Sequence, residues 1–178
     1  MPYIIEDVAD RDRILPKLTE RQIAIRSVFI CAVTKFNDVE EYIVTNDLSE
    51  RCICARLSLH LTEALKGTDF CDYCVDVEYN RGYDGLERGI KRIDNSPITV
   101  DLIVHKRGYD CSYGFDNLIC VEMKKSTNRK GCNSDETRLS KMVSYNHGYC
   151  YQTGFMMLID MKENKLKIKK EYYLEYYK

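Results

Sequence analysis

Two short apolar segments decide the fold of this chain: residues 98–104, ITVDLIV, and residues 118–124, LICVEMK. Each is rich in β-branched residues and has the length of a buried strand. Each also carries charge, which a buried strand excludes unless the charge is paired or bound to a ligand. Because side chains alternate along a strand, Glu122 and Lys124 leave the same face. The segments therefore predict two core strands that carry a functional site.

The segment between these strands, residues 106–117, contains Gly108, Gly114 and several Asp and Tyr residues, a composition typical of a hairpin loop. A hairpin makes the strands neighbours and brings Asp101 beside Glu122. Two such carboxylates can hold Mg²⁺ or Mn²⁺ through oxygen ligands. Lys124 can then position or deprotonate a water, or stabilise charge on a phosphate. The pattern predicts a metal-dependent hydrolytic site.

This arrangement resembles the catalytic core of the PD-(D/E)XK nuclease superfamily, which has the restriction-endonuclease-like fold. The family signature is an acid on one strand and Asp/Glu-x-Lys on the next, here Asp101 and Glu122-Met123-Lys124. Val100 replaces the proline that usually precedes the first acid. Residues 76–81, 101–107 and 118–126 look like those of a group of small bacterial proteins in the superfamily. The resemblance covers roughly residues 47–160.

The resemblance implies an α/β (α+β) fold with a mixed central sheet flanked by helices, and a Mg²⁺- or Mn²⁺-dependent nuclease that hydrolyses phosphodiester bonds of DNA or RNA. The implied catalytic residues are Asp101, Glu122, Lys124 and Glu50, and the implied metal ligands are Asp101, Glu122, Glu50 and Glu78. A family member often draws such an acid from the first core helix. Glu78 reaches the site only if the strand faces agree, since a one-residue slip separates them.

Glu50 has a second interpretation. Helical spacing places it with Ile53, Leu57 and Leu61 on the apolar stripe of a helix, where a carboxylate is costly unless it is paired or bound to metal. The alternative is a helix-start glutamate that the helix dipole favours.

The predicted substrate contacts surround the two strands and are Asn80, Arg81, His105, Lys125, Arg129 and Lys130. Basic groups near a metal site would hold a polyanionic backbone. Asn80 and Arg81 match the local group's Asn-Arg pair and would position phosphate or brace Glu78. His105 shares the strand face of Asp101 and would act as a base or a substrate contact, with a solvent-facing histidine as the alternative.

Composition indicates one domain, residues 1–178, with a core at about 47–160 and a helical extension at 1–46. The chain is 44% hydrophobic and 31% charged, typical of a globular protein. No apolar run approaches the roughly 20 residues of a membrane span, and the first residues lack a signal-peptide pattern. Nine cysteines, an odd number, favour reduced thiols. We therefore expect a cytoplasmic protein that does not bind membranes.

The remaining pattern predicts helices over 19–33, 38–44, 48–65 and 135–146 and strands over 75–79, 155–159 and 166–173, with the last strand at a sheet edge. Three alternatives stay open. The chain could be a non-catalytic nuclease-like module that binds nucleic acid or a protein. Glu122 and Lys124 could form only an ion pair at a sheet edge. Cys71 and Cys74 have the spacing of half a zinc site, although no second pair follows. A homodimer is also plausible.

Overall fold

The computed structural model describes residues 1–81, 89–107, 116–128, 132–147 and 149–176. The helices are α1 (Val8–Ile14), α2 (Glu20–Val39), α3 (Glu41–Thr45), α4 (Glu50–Leu65) and α5 (Cys132–Met142), with 3₁₀ turns at Leu15–Lys17 and Tyr145–His147. The strands are β1 (Tyr3–Ile5), β2 (Cys74–Tyr79), β3 (Arg92–Ile93), β4 (Ser96–Pro97), β5 (Val100–His105), β6 (Asn117–Lys125), β7 (Thr153–Asp160) and β8 (Lys165–Tyr173).

Six strands form one mixed sheet in the order β1-β8-β7-β6-β5-β2, and β3 pairs with β4 in a small separate ribbon. Only the β6–β7 pair is parallel within the described sheet, and α5 lies in the connection between these two strands. Parallel neighbours need such a crossover because a tight turn cannot join them. Helices and a mixed sheet confirm the predicted α/β fold class.

Local signals set the ends of α4, which carries one candidate acid. The Ser49 side chain accepts a hydrogen bond from the Cys52 amide, which satisfies one of the free donors at the helix start. The helix ends at Leu65, and Gly67 follows with φ +73°, a left-handed conformation that glycine adopts at little cost. This places Glu50 in the first turn, as the sequence predicts.

Two apolar cores sandwich the sheet. Helices α2 and α4 share one core with Leu102, Val121 and Phe155, and the Phe29 ring stacks on Phe155 with centroids 3.9 Å apart. On the other face, α5 supplies Leu139 and Met142 to a core that includes Cys120 and Ile103. The strands that carry the candidate acids are thus covered on both faces, which explains their continuous apolar character.

The strand register brings Asp101 beside Glu122. Leu102 lies opposite Val121, and Ile103 lies opposite Cys120, so Asp101 falls opposite Glu122. On the other side of β5, Val77 pairs with Leu102 and Tyr79 pairs with Val100. Glu78 lies between these two pairs with φ +52°, so the regular alternation of β2 is interrupted there. The predicted antiparallel pairing of β5 with β6 is confirmed, whereas residues 108–115 of the predicted loop lie outside the described residues.

Two predictions at the ends of the sheet are wrong. Residues 1–46 are not purely helical, because β1 pairs with β8 and Tyr3 lies opposite Tyr173. The last strand is not at the edge, since β8 lies between β7 and β1. Lysines of β8 form ion pairs with acids: Lys170 contacts Glu6 and Glu136. In the part of the chain that is described, no helix combines the length and apolarity needed to cross a membrane.

Candidate active site

Asp101 and Glu122 form a close pair of carboxyl groups on adjacent strands. The side chain of Asp101 accepts a hydrogen bond of 2.8 Å from the backbone amide of Met123, the residue after Glu122. Burial raises the pKa of Asp101 above its ordinary value, although the Met123 amide and Lys124 favour the charged form. The carboxyl group of Asp101 is therefore held in place and poorly solvated.

Glu122 is the most enclosed of the candidate acids, with 2% of its surface exposed. Burial raises its pKa well above the ordinary value, and the negative charge of Asp101 raises that pKa further. One partner opposes this effect: Nε of Arg138, on α5, donates to Oε1 of Glu122 at 2.5 Å. Two neighbouring acids under these conditions repel each other, and a bound cation would relieve the repulsion.

Lys124 follows on the same face of β6 and lies between two acids. Its Nζ is 3.1 Å from Oδ2 of Asp135, on α5, and 4.0 Å from Oε2 of Glu50. Oδ2 of Asp135 meets no partner with hydrogen-bond geometry, so the 3.1 Å contact is an ion pair whose attraction depends on distance rather than on angle. Burial lowers the pKa of Lys124, but Asp135, Glu50 and Asp101 outweigh burial and raise it overall. Lys124 therefore carries an ammonium charge at neutral pH.

Glu50 and Glu78 meet Asp101 at an open cleft of about 500 Å³. Oε1 of Glu50 accepts from the Lys125 amide at 3.0 Å, which ties the start of α4 to the end of β6. Glu78 is held by Arg51 at 2.7 Å and has φ +52°, a costly conformation for a residue other than glycine. The side chains that line this cleft are Ser49, Glu50, Arg51, Cys54, Val77, Glu78, Asp101, Lys125 and Asn128.

The thiol of Cys54, on α4, has a pKa that the nearby acids affect. Burial raises the pKa of its thiol, and the negative charges of four acids add to that rise: Asp101, Glu122, Glu50 and Glu78. Its Sγ contacts Sδ of Met123 at 3.8 Å. The thiol thus lies in the cleft wall with Glu50, Glu78 and Asp101, and it remains neutral at ordinary pH.

Whether these residues suit a divalent cation depends on donor chemistry and number. Among the residues that the structure describes, no three or more His, Cys, Asp or Glu side chains are grouped closely enough to enclose a metal ion. Mg²⁺, however, is usually held by one or two carboxylates with waters and substrate phosphates rather than by a full protein cage. Asp101 and Glu122 provide two hard oxygen donors in contact with each other. The donor set fits Mg²⁺ or Mn²⁺ on this basis.

Three of the predicted substrate contacts lie at or near the cleft. Lys125 lines the cleft, and its Nζ pairs with Asp47 at 2.6 Å. Arg81 is exposed just beyond β2, and the Asn80 carbonyl accepts from the Lys91 amide at 2.7 Å. These residues follow Glu78 in the chain and lie near the cleft end of the strand. Arg129 and Lys130 lie outside the described residues.

His105 does not join the site. It lies four residues beyond Asp101, a distance of about 13 Å along a strand. Its Nε2 is 2.9 Å from Oδ2 of Asp76, which also accepts from Arg107 at 2.8 Å. Burial lowers the pKa of His105, more than Asp76 raises it. The solvent-facing alternative is wrong, because His105 is 5% exposed and pairs with Asp76. Its role as a base or substrate contact stays a prediction.

Sequence reasoning missed the partners from α5. Asp135 and Arg138 lie three residues apart, so they share one helix face, and this face meets Glu122 and Lys124 of β6. Because β6 lies between β5 and β7, the sheet-edge alternative for Glu122 and Lys124 is wrong. A charged i,i+3 pair beside the apolar stripe of α5 was the available signal, but such pairs are common on exposed helices.

No protein-family model matches this chain, and no curated protein or solved structure matches it either. An assignment of function therefore depends on the acids, cations and cleft described above.

Proposed function

We propose that this chain is a Mg²⁺- or Mn²⁺-dependent nuclease of the PD-(D/E)XK type that hydrolyses phosphodiester bonds of DNA or RNA. One observation carries the proposal: the buried Glu122 and the half-buried Asp101 have carboxyl groups in contact on adjacent strands, with the charged Lys124 on the same face as Glu122. Buried acids with raised pKa values next to a cleft are typical of functional sites.

The order of elements supports the same proposal. Along the chain, α4 with Glu50 precedes β2, then β5 with Asp101, β6 with Glu122 and Lys124, and α5. This is the order of helix, strand, strand with acid, strand with Glu-x-Lys and helix that the resemblance implies. Fold likeness alone does not establish activity, because one fold hosts many functions. The chemistry of the side chains has to carry the assignment.

The side chains divide the work as follows. Asp101 and Glu122 would hold the divalent cation, with Glu50 and Glu78 at the cleft to bind its waters or a second position. Such a cation supplies Lewis-acid activation of water and neutralises charge on the phosphate. Lys124, as an ammonium, stabilises the negative charge that develops on the phosphoryl oxygens or orients the attacking water. Lys125 and the neighbouring basic residues bind the nucleic-acid backbone.

A non-catalytic module that binds nucleic acid or a protein is the second candidate, and one observation favours it. Glu122 already pairs with Arg138, and Lys124 already pairs with Asp135, so the two charges of the Glu-x-Lys motif are compensated within the protein. A site with this compensation can persist without a cation. The two candidates differ in whether these two ion pairs dissociate when metal and substrate bind.

A cleavage assay separates the two candidates. The purified chain is incubated with single- and double-stranded DNA and RNA, with Mn²⁺, with Mg²⁺ or with excess chelator. We expect metal-dependent cleavage that Glu122→Gln abolishes and Glu136→Gln preserves, since Glu136 faces Lys169 and Lys170 instead. Tight binding of one nucleic acid without cleavage would favour the module. A cytoplasmic location remains part of the proposal, since nine cysteines, an odd number, favour reduced thiols.

A further inference from the structure

Helix α5 meets the Glu-x-Lys motif with two charged side chains of its own. Nε of Arg138 donates to Oε1 of Glu122 at 2.5 Å, and its Nη2 donates to Oδ1 of Asp135. Oδ2 of Asp135 lies 3.1 Å from Nζ of Lys124. The four side chains therefore alternate in sign along one chain of contacts: Lys124, Asp135, Arg138 and Glu122.

The geometry of this chain of contacts is specific to arginine. A guanidinium presents several N–H donors in a fixed fork, so Arg138 reaches two carboxylates in two directions at once. Asp135 likewise divides its oxygens between Arg138 and Lys124. Asp135 is 4% exposed and Glu122 is 2% exposed, so these contacts restrict the side chains much more than a surface ion pair would.

Stability alone is a poor explanation for the arrangement. Replacing buried ion pairs with apolar residues of similar volume is often neutral or stabilising. An apolar core lies next to these charges, since Leu139 and Met142 of the same helix are part of it. The geometry does provide one thing that an apolar contact cannot, which is a fixed position for both charged members of the motif on β6.

We propose that Asp135 and Arg138 are positioning residues of the active site. Arg138 fixes one oxygen of Glu122 and so orients the carboxylate toward Asp101. Asp135 holds Arg138 in place and keeps the ammonium of Lys124 within 4.0 Å of Glu50, which lines the cleft. This inference rests on the proposed nuclease function and adds to it the residues that set the geometry of the reacting groups.

The position of these residues predicts a particular kinetic signature. Asp135 and Arg138 reach the motif through Lys124 and Glu122, so we expect them to act on these two side chains and not on the substrate. Loss of a partner that orients a metal ligand typically costs ~10–100-fold in activity or metal affinity. We therefore expect Arg138→Gln and Asp135→Asn to lower kcat by ~10–100-fold at saturating Mn²⁺, while the KM for nucleic acid stays nearly unchanged.

Conservative and matched variants test the geometry. Arg138→Lys keeps a cation beside Glu122 but cannot reproduce the fork, so it should restore part of the kcat that Arg138→Gln loses. Glu136→Gln, the neighbour of Asp135 on α5, removes a pair with Lys169 and Lys170 and should leave kcat unchanged. Arg56→Gln, which removes a pair with Glu40, should do the same.

Steady-state kinetics on the folded full chain decides the inference, with circular dichroism to establish folding. A loss of kcat at constant KM in the α5 variants alone supports it. Unchanged kcat, a change confined to KM, or an equal loss in the Glu136 and Arg56 controls overturns it. If Arg138→Gln does not fold, Asp135→Asn and Arg138→Lys carry the test. An unmodified chain that does not cleave would overturn this inference and the nuclease proposal together, whereas an active chain with active α5 variants overturns this inference alone.

Discussion

Two neighbouring lysines offer the sharpest kinetic comparison in this molecule. Lys124 and Lys125 are consecutive on β6 and leave opposite faces of the strand. Lys124 lies 3.1 Å from Asp135 and 4.0 Å from Glu50, whereas Lys125 pairs with Asp47 and lines the cleft. We expect Lys124→Ala to impair the chemical step and Lys125→Ala to impair substrate binding. The two substitutions are identical in chemistry, so each controls for the other.

The magnitude follows from what each side chain contacts. Removal of one preorganised stabiliser of transition-state charge lowers kcat by ~10²–10³-fold, or about 2.7–4 kcal/mol. The cost in folding stability should be smaller, about 1–3 kcal/mol, because Asp135 keeps its pair with Arg138 after Lys124 is removed. Loss of Lys125 removes one phosphate contact and should raise KM with little change in kcat.

The assay measures kcat and KM for cleavage of labelled DNA and RNA at saturating Mn²⁺, with thermal unfolding of each variant as the control for folding. Lys124→Ala should keep most of its substrate affinity and lose cleavage. A Lys124→Ala protein with normal kcat would refute the role of this ammonium in the reaction. If both substitutions changed KM equally and left kcat unchanged, both lysines would be contacts to the nucleic-acid backbone.

Three further predictions concern stability and substrate binding. Asp101→Asn should raise the melting temperature of the metal-free protein at neutral pH, because it neutralises one of two poorly solvated neighbouring carboxylates; a lower melting temperature in excess chelator would contradict this. Arg129→Ala and Lys130→Ala should weaken nucleic-acid binding and each reduce the salt slope by about one, and binding titrations at several salt concentrations that give an unchanged slope would exclude these contacts. Burial lowers the pKa of His105 in the folded state, so the unfolded state takes up the proton first and the free energy of unfolding should fall as pH drops below about 6.5. Urea unfolding across that pH should show a shallower fall in His105→Gln, and an equal fall would disprove the link.

The core strands were predictable because their signals are local. Residues 98–104 and 118–124 combine apolar, β-branched composition with a loop between them, and this pattern fixes both the strands and their pairing. Few alignments of the two strands keep the apolar face of each strand buried, and the register that places Asp101 opposite Glu122 is one of them. Ser49 and Gly67 similarly mark the ends of α4.

The features that sequence reasoning missed depend on contacts between distant segments. β1 has only three residues, too few for a periodic signal, and it forms through pairing with β8 at the other end of the chain. Arg138 reaches Glu122 only because α5 crosses over the sheet between β6 and β7. His105 was expected beside Asp101, but distance along β5 and the contact with Asp76 separate the two. Alternation along a strand predicts a shared face, and it does not predict which side chains on that face meet.

Metal binding tests the central claim most directly. Isothermal titration of the full chain with Mn²⁺ at neutral pH should show a binding event that Asp101→Asn and Glu122→Gln each weaken strongly, because each removes one of the two charged ligands. Glu136→Gln on α5 serves as the matched control and should bind as the unmodified chain does. Titrations that are indistinguishable among all four proteins, or no binding by the unmodified chain, would contradict the assignment of Asp101 and Glu122 as a metal site.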